Sequence, residues 1–81
     1  MKFDVLGGGC ANCNKLEALT TEVVRELGVA DAEVTHVTDY AEIMRYGVMS
    51  TPALAIDGKV VVAGKVPSKA DLTTIVTTAL S

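Results

Sequence analysis

The opening residues constrain the fold more than any other stretch. An apolar run, Phe3-Asp4-Val5-Leu6, meets Gly7, Gly8 and Gly9, and Cys10-Ala11-Asn12-Cys13 follows at the head of a segment with helical periodicity. Leu16, Leu19, Val23, Val24 and Leu27 recur at spacings of three and four, the apolar stripe of a helix over residues 10–27. Gly28 stands where a C-cap glycine belongs. Glu33-Val34-Thr35-His36-Val37 then reads as a second strand. Two strands joined through one helix are expected to lie parallel, with a right-handed crossover.

The remaining pattern adds an antiparallel half. Asp39 and Glu42 stand at capping-box spacing and open a helix of roughly two turns. Gly47 closes it, and Val48 is placed to fold back on its last turn. Ala53-Leu54-Ala55-Ile56 and Lys59-Val60-Val61-Val62-Ala63 are separated only by Asp57-Gly58. That dipeptide suits a type I′ turn, which needs φ > 0 at both central positions. Ser68 and Asp71 repeat the capping spacing, and Leu72, Ile75, Val76, Ala79 and Leu80 line a closing helix. The expected fold class is α/β, in the order β-α-β-α-β-β-α, with a four-stranded mixed sheet and helices on both faces. Residues 1–81 are expected to form one domain, without repeats or linkers.

Composition narrows the function classes. The net charge is −3 and the seven Lys and Arg residues are scattered, which argues against a nucleic-acid partner. No run approaches the roughly 20 apolar residues of a membrane span. A basic stretch followed by an apolar leader is missing, so the expected compartment is the cytoplasm. The two cysteines, at Cys10 and Cys13, are too close in sequence to brace a fold as a disulfide framework. In a reducing compartment such a pair is catalytic or metal-binding. At a helix start the first amide N–H groups lack partners and the dipole places about half a positive charge, which favours the thiolate. The thiolate is the form that attacks disulfides and binds soft metals.

Cys-x-x-Cys at a strand-to-helix turn together with Thr51-Pro52 opening the third strand resembles the thioredoxin/glutaredoxin superfamily. The chain is most similar to its small prokaryotic redox-active disulfide members. The match is carried by Gly9-Cys10-Ala11-Asn12-Cys13 and by the stretch from Tyr46 to Gly58. The resemblance implies a thioredoxin-like fold and a thiol–disulfide oxidoreductase serving electron transport and redox homeostasis. Cys10 would attack and Cys13 would resolve. Gly9, Ala11, Asn12, Thr51 and Pro52 would border the substrate. It also implies a cis bond before Pro52, where an isolated X-Pro bond favours trans. Asp4, six residues before Cys10, would match a buried acid that accepts a proton from the resolving thiol, or else it faces solvent near a strand edge. The implied partners are a disulfide-containing protein or small molecule and a reductase or dithiol donor. No cofactor is expected beyond the Cys10–Cys13 disulfide itself, and the expected state is a monomer.

Two departures matter. Ala11-Asn12 matches neither the Gly-Pro of thioredoxins nor the Pro-Tyr of glutaredoxins, and glycines replace the aromatic residue before the pair. The rival reading is a soft-metal carrier, with Cys10 and Cys13 as Cu(I) ligands. The heavy-metal-associated domains that do this run β-α-β-β-α-β, which differs from the order here. A structural zinc site needs four ligands, and two cysteines with a lone His36 do not supply them. His36 is expected to be an ordinary strand residue and Lys15 a solvated charge. Met44 and Met49 are expected as core filler, Met49 alternatively as a lining of the cleft. Tyr40 and Tyr46 are expected to pack the short helix with their hydroxyls outward.

Overall fold

The computed structural model describes residues 1–8 and 11–80. Its elements are β1 (Lys2–Leu6), α1 (Ala11–Glu26), β2 (Glu33–Val37), α2 (Tyr40–Arg45), β3 (Ala53–Ile56), β4 (Lys59–Ala63) and α3 (Lys69–Leu80). The four strands form one sheet in the order β2-β1-β3-β4. β1 runs parallel to β2, while β1 with β3 and β3 with β4 are antiparallel. The fold is therefore the α/β arrangement expected of the sequence, with a mixed sheet.

Side-chain alternation along β1 distributes the two faces. Phe3 and Val5 join Leu54, Ile56 and Val62 beneath Leu16, Val23 and Val24 of α1 and Leu72 and Val76 of α3. Leu6 points the other way and packs with Ile43 of α2, Val48, Ala53 and Ala55. Each face of the sheet is thus covered by helix, as a strand apolar on both sides requires.

The local signals act as their chemistry dictates. Val29 N–H bonds to Val24 C=O and Gly28 N–H to Arg25 C=O, the paired closure of a Schellman cap, with Gly28 at φ +66°. Asp57 and Gly58 adopt φ values of +50° and +86°, the type I′ geometry that returns β3 into β4. Opposite the Leu54–Ala55 step of β3, the β4 register passes over Val61 as a bulge. Ser68 Oγ accepts from Asp71 N–H at 3.1 Å and caps α3. Asp39 caps α2 by accepting from Ala41 N–H at 2.9 Å, one residue earlier than a capping box through Glu42 would have it. Lys69 ties α3 to α1, with Nζ 2.9 Å from Glu22 and 2.6 Å from Glu26. These partners raise the Lys69 pKa, the Glu26 bond most, and the Lys69 bond lowers that of Glu22.

Three expectations need correction. The buried stripe of α1 is Cys13, Leu16, Thr20, Val23 and Val24. Leu19 is only half-buried and Leu27, just past the last helical residue, is exposed, while Thr20 takes a place on the inner face. Met44 and Met49 are not core filler: they are 55% and 98% exposed, and Ile43 and Val48 fill the space beneath α2 instead. Tyr40 is exposed, whereas Tyr46 turns its hydroxyl inward to bond Asp4.

Candidate active site

The candidate site lies where β1 stops. The last antiparallel pair of β1 and β3 is Leu6 with Ala53, so the next residues outward in that register are Gly7 and Pro52. The Thr51–Pro52 peptide bond is cis. Pro52 is buried, lacks an N–H, and offers its carbonyl to Gly64 N–H at 2.9 Å; Thr51 is exposed beside it.

α1 begins at Ala11 and carries no acidic residue in its first turn, so nothing on the helix competes for the partial positive charge there. Ala11 and Asn12 are exposed, and Cys13, one step further on, is fully buried. Cys13 is disulfide-bonded. Gly9 and Cys10, the other expected residues of this turn, lie outside the described residues.

Gly7 shows why a glycine stands here. A Cβ built on it would collide with Cys13 Sγ, and would lie 3.2 Å from Cys13 Cβ and 3.7 Å from Thr51 Cβ. The bare α-carbon is therefore the surface against which the buried sulfur rests. At Gly8 a Cβ would meet nothing within 4 Å. Cys13, Gly7 and Thr51 thus converge from three separate stretches of the chain, with Pro52 next to Thr51.

Asp4 is 1% exposed, which removes the solvent-facing alternative. It shares the α2 side of β1 with Leu6, and its Oδ2 accepts from the Tyr46 hydroxyl at 2.7 Å. Its Oδ1 is buried without a hydrogen-bond partner among the described residues. The pair lines a cavity of about 470 Å³ together with Lys2, Thr35, Glu42 and Arg45. The bond to Asp4, with burial, raises the Tyr46 pKa above the ordinary tyrosine value.

His36 is more than an ordinary strand residue. Its Nε2 lies 3.0 Å from the Gly7 carbonyl and its Nδ1 lies 3.6 Å from Glu17 Oε2. Its place opposite Val5 in the parallel register is the signal that could have located it near the glycines. Among the described residues no three His, Cys, Asp or Glu side chains gather as a metal site, and no helix is long and apolar enough to cross a membrane.

Residues 1–77 match the family model described as Thioredoxin domain. Over 72 residues the chain is 40% identical to a thioredoxin of Methanothermobacter thermautotrophicus, covering 89% of this chain and 92% of that one. Over 64 residues it is 42% identical to a thioredoxin of Methanocaldococcus jannaschii, covering 79% and 72%. Sheet order and these likenesses agree, and the chain belongs to the thioredoxin family.

Proposed function

We propose that this protein is a cytoplasmic thiol–disulfide oxidoreductase whose working group is the Cys10–Cys13 dithiol. The observation that carries the reading is Cys13: fully buried, disulfide-bonded, in the first turn of α1 and seated on Gly7 beside Thr51. A sulfur so enclosed is suited to resolve an intermediate, and its partner Cys10 is left to make the first attack.

In this scheme the Cys10 thiolate attacks one sulfur of a substrate disulfide, and the other sulfur leaves as thiolate. The Cys13 thiolate then attacks Cys10 in the mixed disulfide and expels the substrate's second thiolate. The substrate gains two electrons, and Cys10–Cys13 becomes the disulfide. A reductase or small dithiol restores it by the same exchange in reverse. Thr51, Pro52, Gly9, Ala11 and Asn12 border the incoming segment, and Thr51 offers backbone polar groups to an extended chain. Asp4, the buried acid of β1, is assigned as the acceptor of the Cys13 proton. The protein acts as a monomer, and the scheme uses no organic cofactor or resident metal.

The test is the two-electron midpoint potential, read by thiol alkylation in redox buffers with a chelator present. A reversible couple near about −270 mV marks a reductant, and one near about −120 mV an oxidant. Cys13→Ser should accumulate a mixed disulfide, and Asp4→Asn should slow its resolution without slowing the first attack. Absence of a reversible couple, with metal retained by the unchelated protein, would overturn the reading in favour of a metal carrier.

A further inference from the structure

The position of His36 has a consequence for the buried sulfur. Alternation along β2 puts His36 on the same side as Val34, which packs against the cluster beneath α1. From there it reaches two things. A carbonyl oxygen can only accept, so the 3.0 Å contact requires Nε2 to carry a proton and donate it to Gly7. The opposite ring nitrogen faces Glu17, one helical turn beyond Cys13 on α1.

Gly7 is consequently gripped at both polar ends by β2. Its N–H donates to the Val37 carbonyl at 3.0 Å, and its carbonyl receives the His36 proton. The register of β1 with β2 ends at Leu6 and Val37, so the Gly7 carbonyl lies beyond the regular pairing. A side chain does there what the next backbone N–H would otherwise do. The strip of main chain so held is the surface on which Cys13 Sγ rests.

We propose that His36 is a positioning residue that keeps Cys13 sealed, by holding the Gly7 carbonyl and with it the wall over the sulfur. The proposal deepens the dithiol reading and rests on it for its biological meaning. With Cys13 closed to outside thiols and disulfides, exchange is confined to Cys10, and Cys13 reacts only with the intermediate formed beside it. Loss of the imidazole donor lets the glycine segment swing away, and the protection of Cys13 falls.

The experiment uses the Cys10→Ser protein, in which Cys13 is the sole thiol, and follows the reaction of Cys13 with an aromatic disulfide reagent. His36→Phe keeps a ring in place without a donor, and His36→Leu is a second donor-free variant. His36→Gln retains an N–H that can reach the Gly7 carbonyl. Ile75→Ala, on α3, controls for general loosening, and thermal melts verify that each variant is folded. Removing one hydrogen bond that closes a local opening should speed Cys13 modification about five- to tenfold in the Phe and Leu variants. His36→Gln should restore protection to within about twofold, and Ile75→Ala should not mimic the Phe variant at matched stability. Phe and Leu variants as slow as the parent, or a Gln variant as fast as they are, would overturn the proposal. Because Cys10 is absent, this outcome is independent of whether the pair turns over, which the wild-type midpoint potential decides separately.

Discussion

Gly7→Ala should be strongly destabilising although it adds one methyl group and demands no unusual backbone. Gly7 does not occupy the left-handed region, unlike Gly28, Gly47, Gly58 and Gly64. On conformational grounds alone, alanine would then stabilise by about 0.4–1 kcal/mol, because it restricts the unfolded chain. The packing term opposes this and is larger. The new Cβ would overlap Cys13 Sγ and sit 3.2 Å from Cys13 Cβ, and neither side can easily yield. Gly7 is held by Val37 and His36, each at 3.0 Å, and Cys13 is fully buried within α1. Overpacking of this kind costs about 1–3 kcal/mol. A net loss of about 1–2 kcal/mol should lower Tm by roughly 4–16 °C in a domain of this size.

The attribution to the sulfur is testable by a double-mutant cycle in urea, under reducing conditions. Gly7→Ala is measured in the parent and in Cys13→Ala, which deletes Sγ. If the sulfur is the obstacle, the two substitutions should couple by about 1 kcal/mol or more. Gly8→Ala provides the internal control, since the space around it is open, and should be neutral or slightly stabilising. An equal cost of Gly7→Ala in both backgrounds, or a Gly8→Ala cost as large, would refute the reasoning.

Two further outcomes concern buried polar groups. Tyr46→Phe removes the hydroxyl that bonds Asp4 and should cost about 1.5 kcal/mol at neutral pH, read from urea midpoints. Because the folded Tyr46 pKa is raised, its contribution is fully present below the ordinary tyrosine value of about 10 and is lost as pH rises through the folded value. Parent and variant stabilities should therefore converge in strong alkali; curves that stay parallel would contradict the assignment. Thr20 is fully buried in α1 and its Oγ1 has no hydrogen-bond partner among the described residues. Thr20→Val should accordingly stabilise by about 1 kcal/mol, visible as a Tm rise of roughly 4–8 °C, and a loss of stability would show that the hydroxyl is satisfied.

Elements whose signals are local were legible in the sequence. The Asp57-Gly58 turn, the Gly28 cap and the Ser68 cap depend on a few adjacent residues, and each forms as its chemistry requires. Burial within a helix was legible only in part: Thr20 lies on the inner face of α1 because position, not polarity, decides which side faces the sheet. Met44 and Met49 show the converse, since hydrophobicity alone does not say which residues of a short helix and its exit loop find a neighbour. Least legible were His36 with Gly7 and Tyr46 with Asp4, pairs 29 and 42 residues apart. Each depends on strand register and side-chain parity together, and a sequence supplies the second only once the first is known.

That register is itself set far from the site. At the opposite end of β1, Lys2 N–H donates to Asp57 Oδ1 at 2.7 Å and Asp57 N–H donates to the Lys2 carbonyl at 2.8 Å. The residue that begins the β3–β4 turn thus also clasps the start of β1. From this clasp the pairs follow in order, Phe3 with Ile56, Asp4 with Ala55, Val5 with Leu54 and Leu6 with Ala53. A slip of one residue would turn every side chain of β3 to the wrong face. It would also move Pro52 away from Gly7. The same hydrogen bonds that keep Leu54 and Ile56 beneath α1 therefore deliver Thr51 and Pro52 to the buried sulfur at the other end of the strand. Core packing and site assembly are in this way one constraint, imposed by a turn that takes no part in the chemistry.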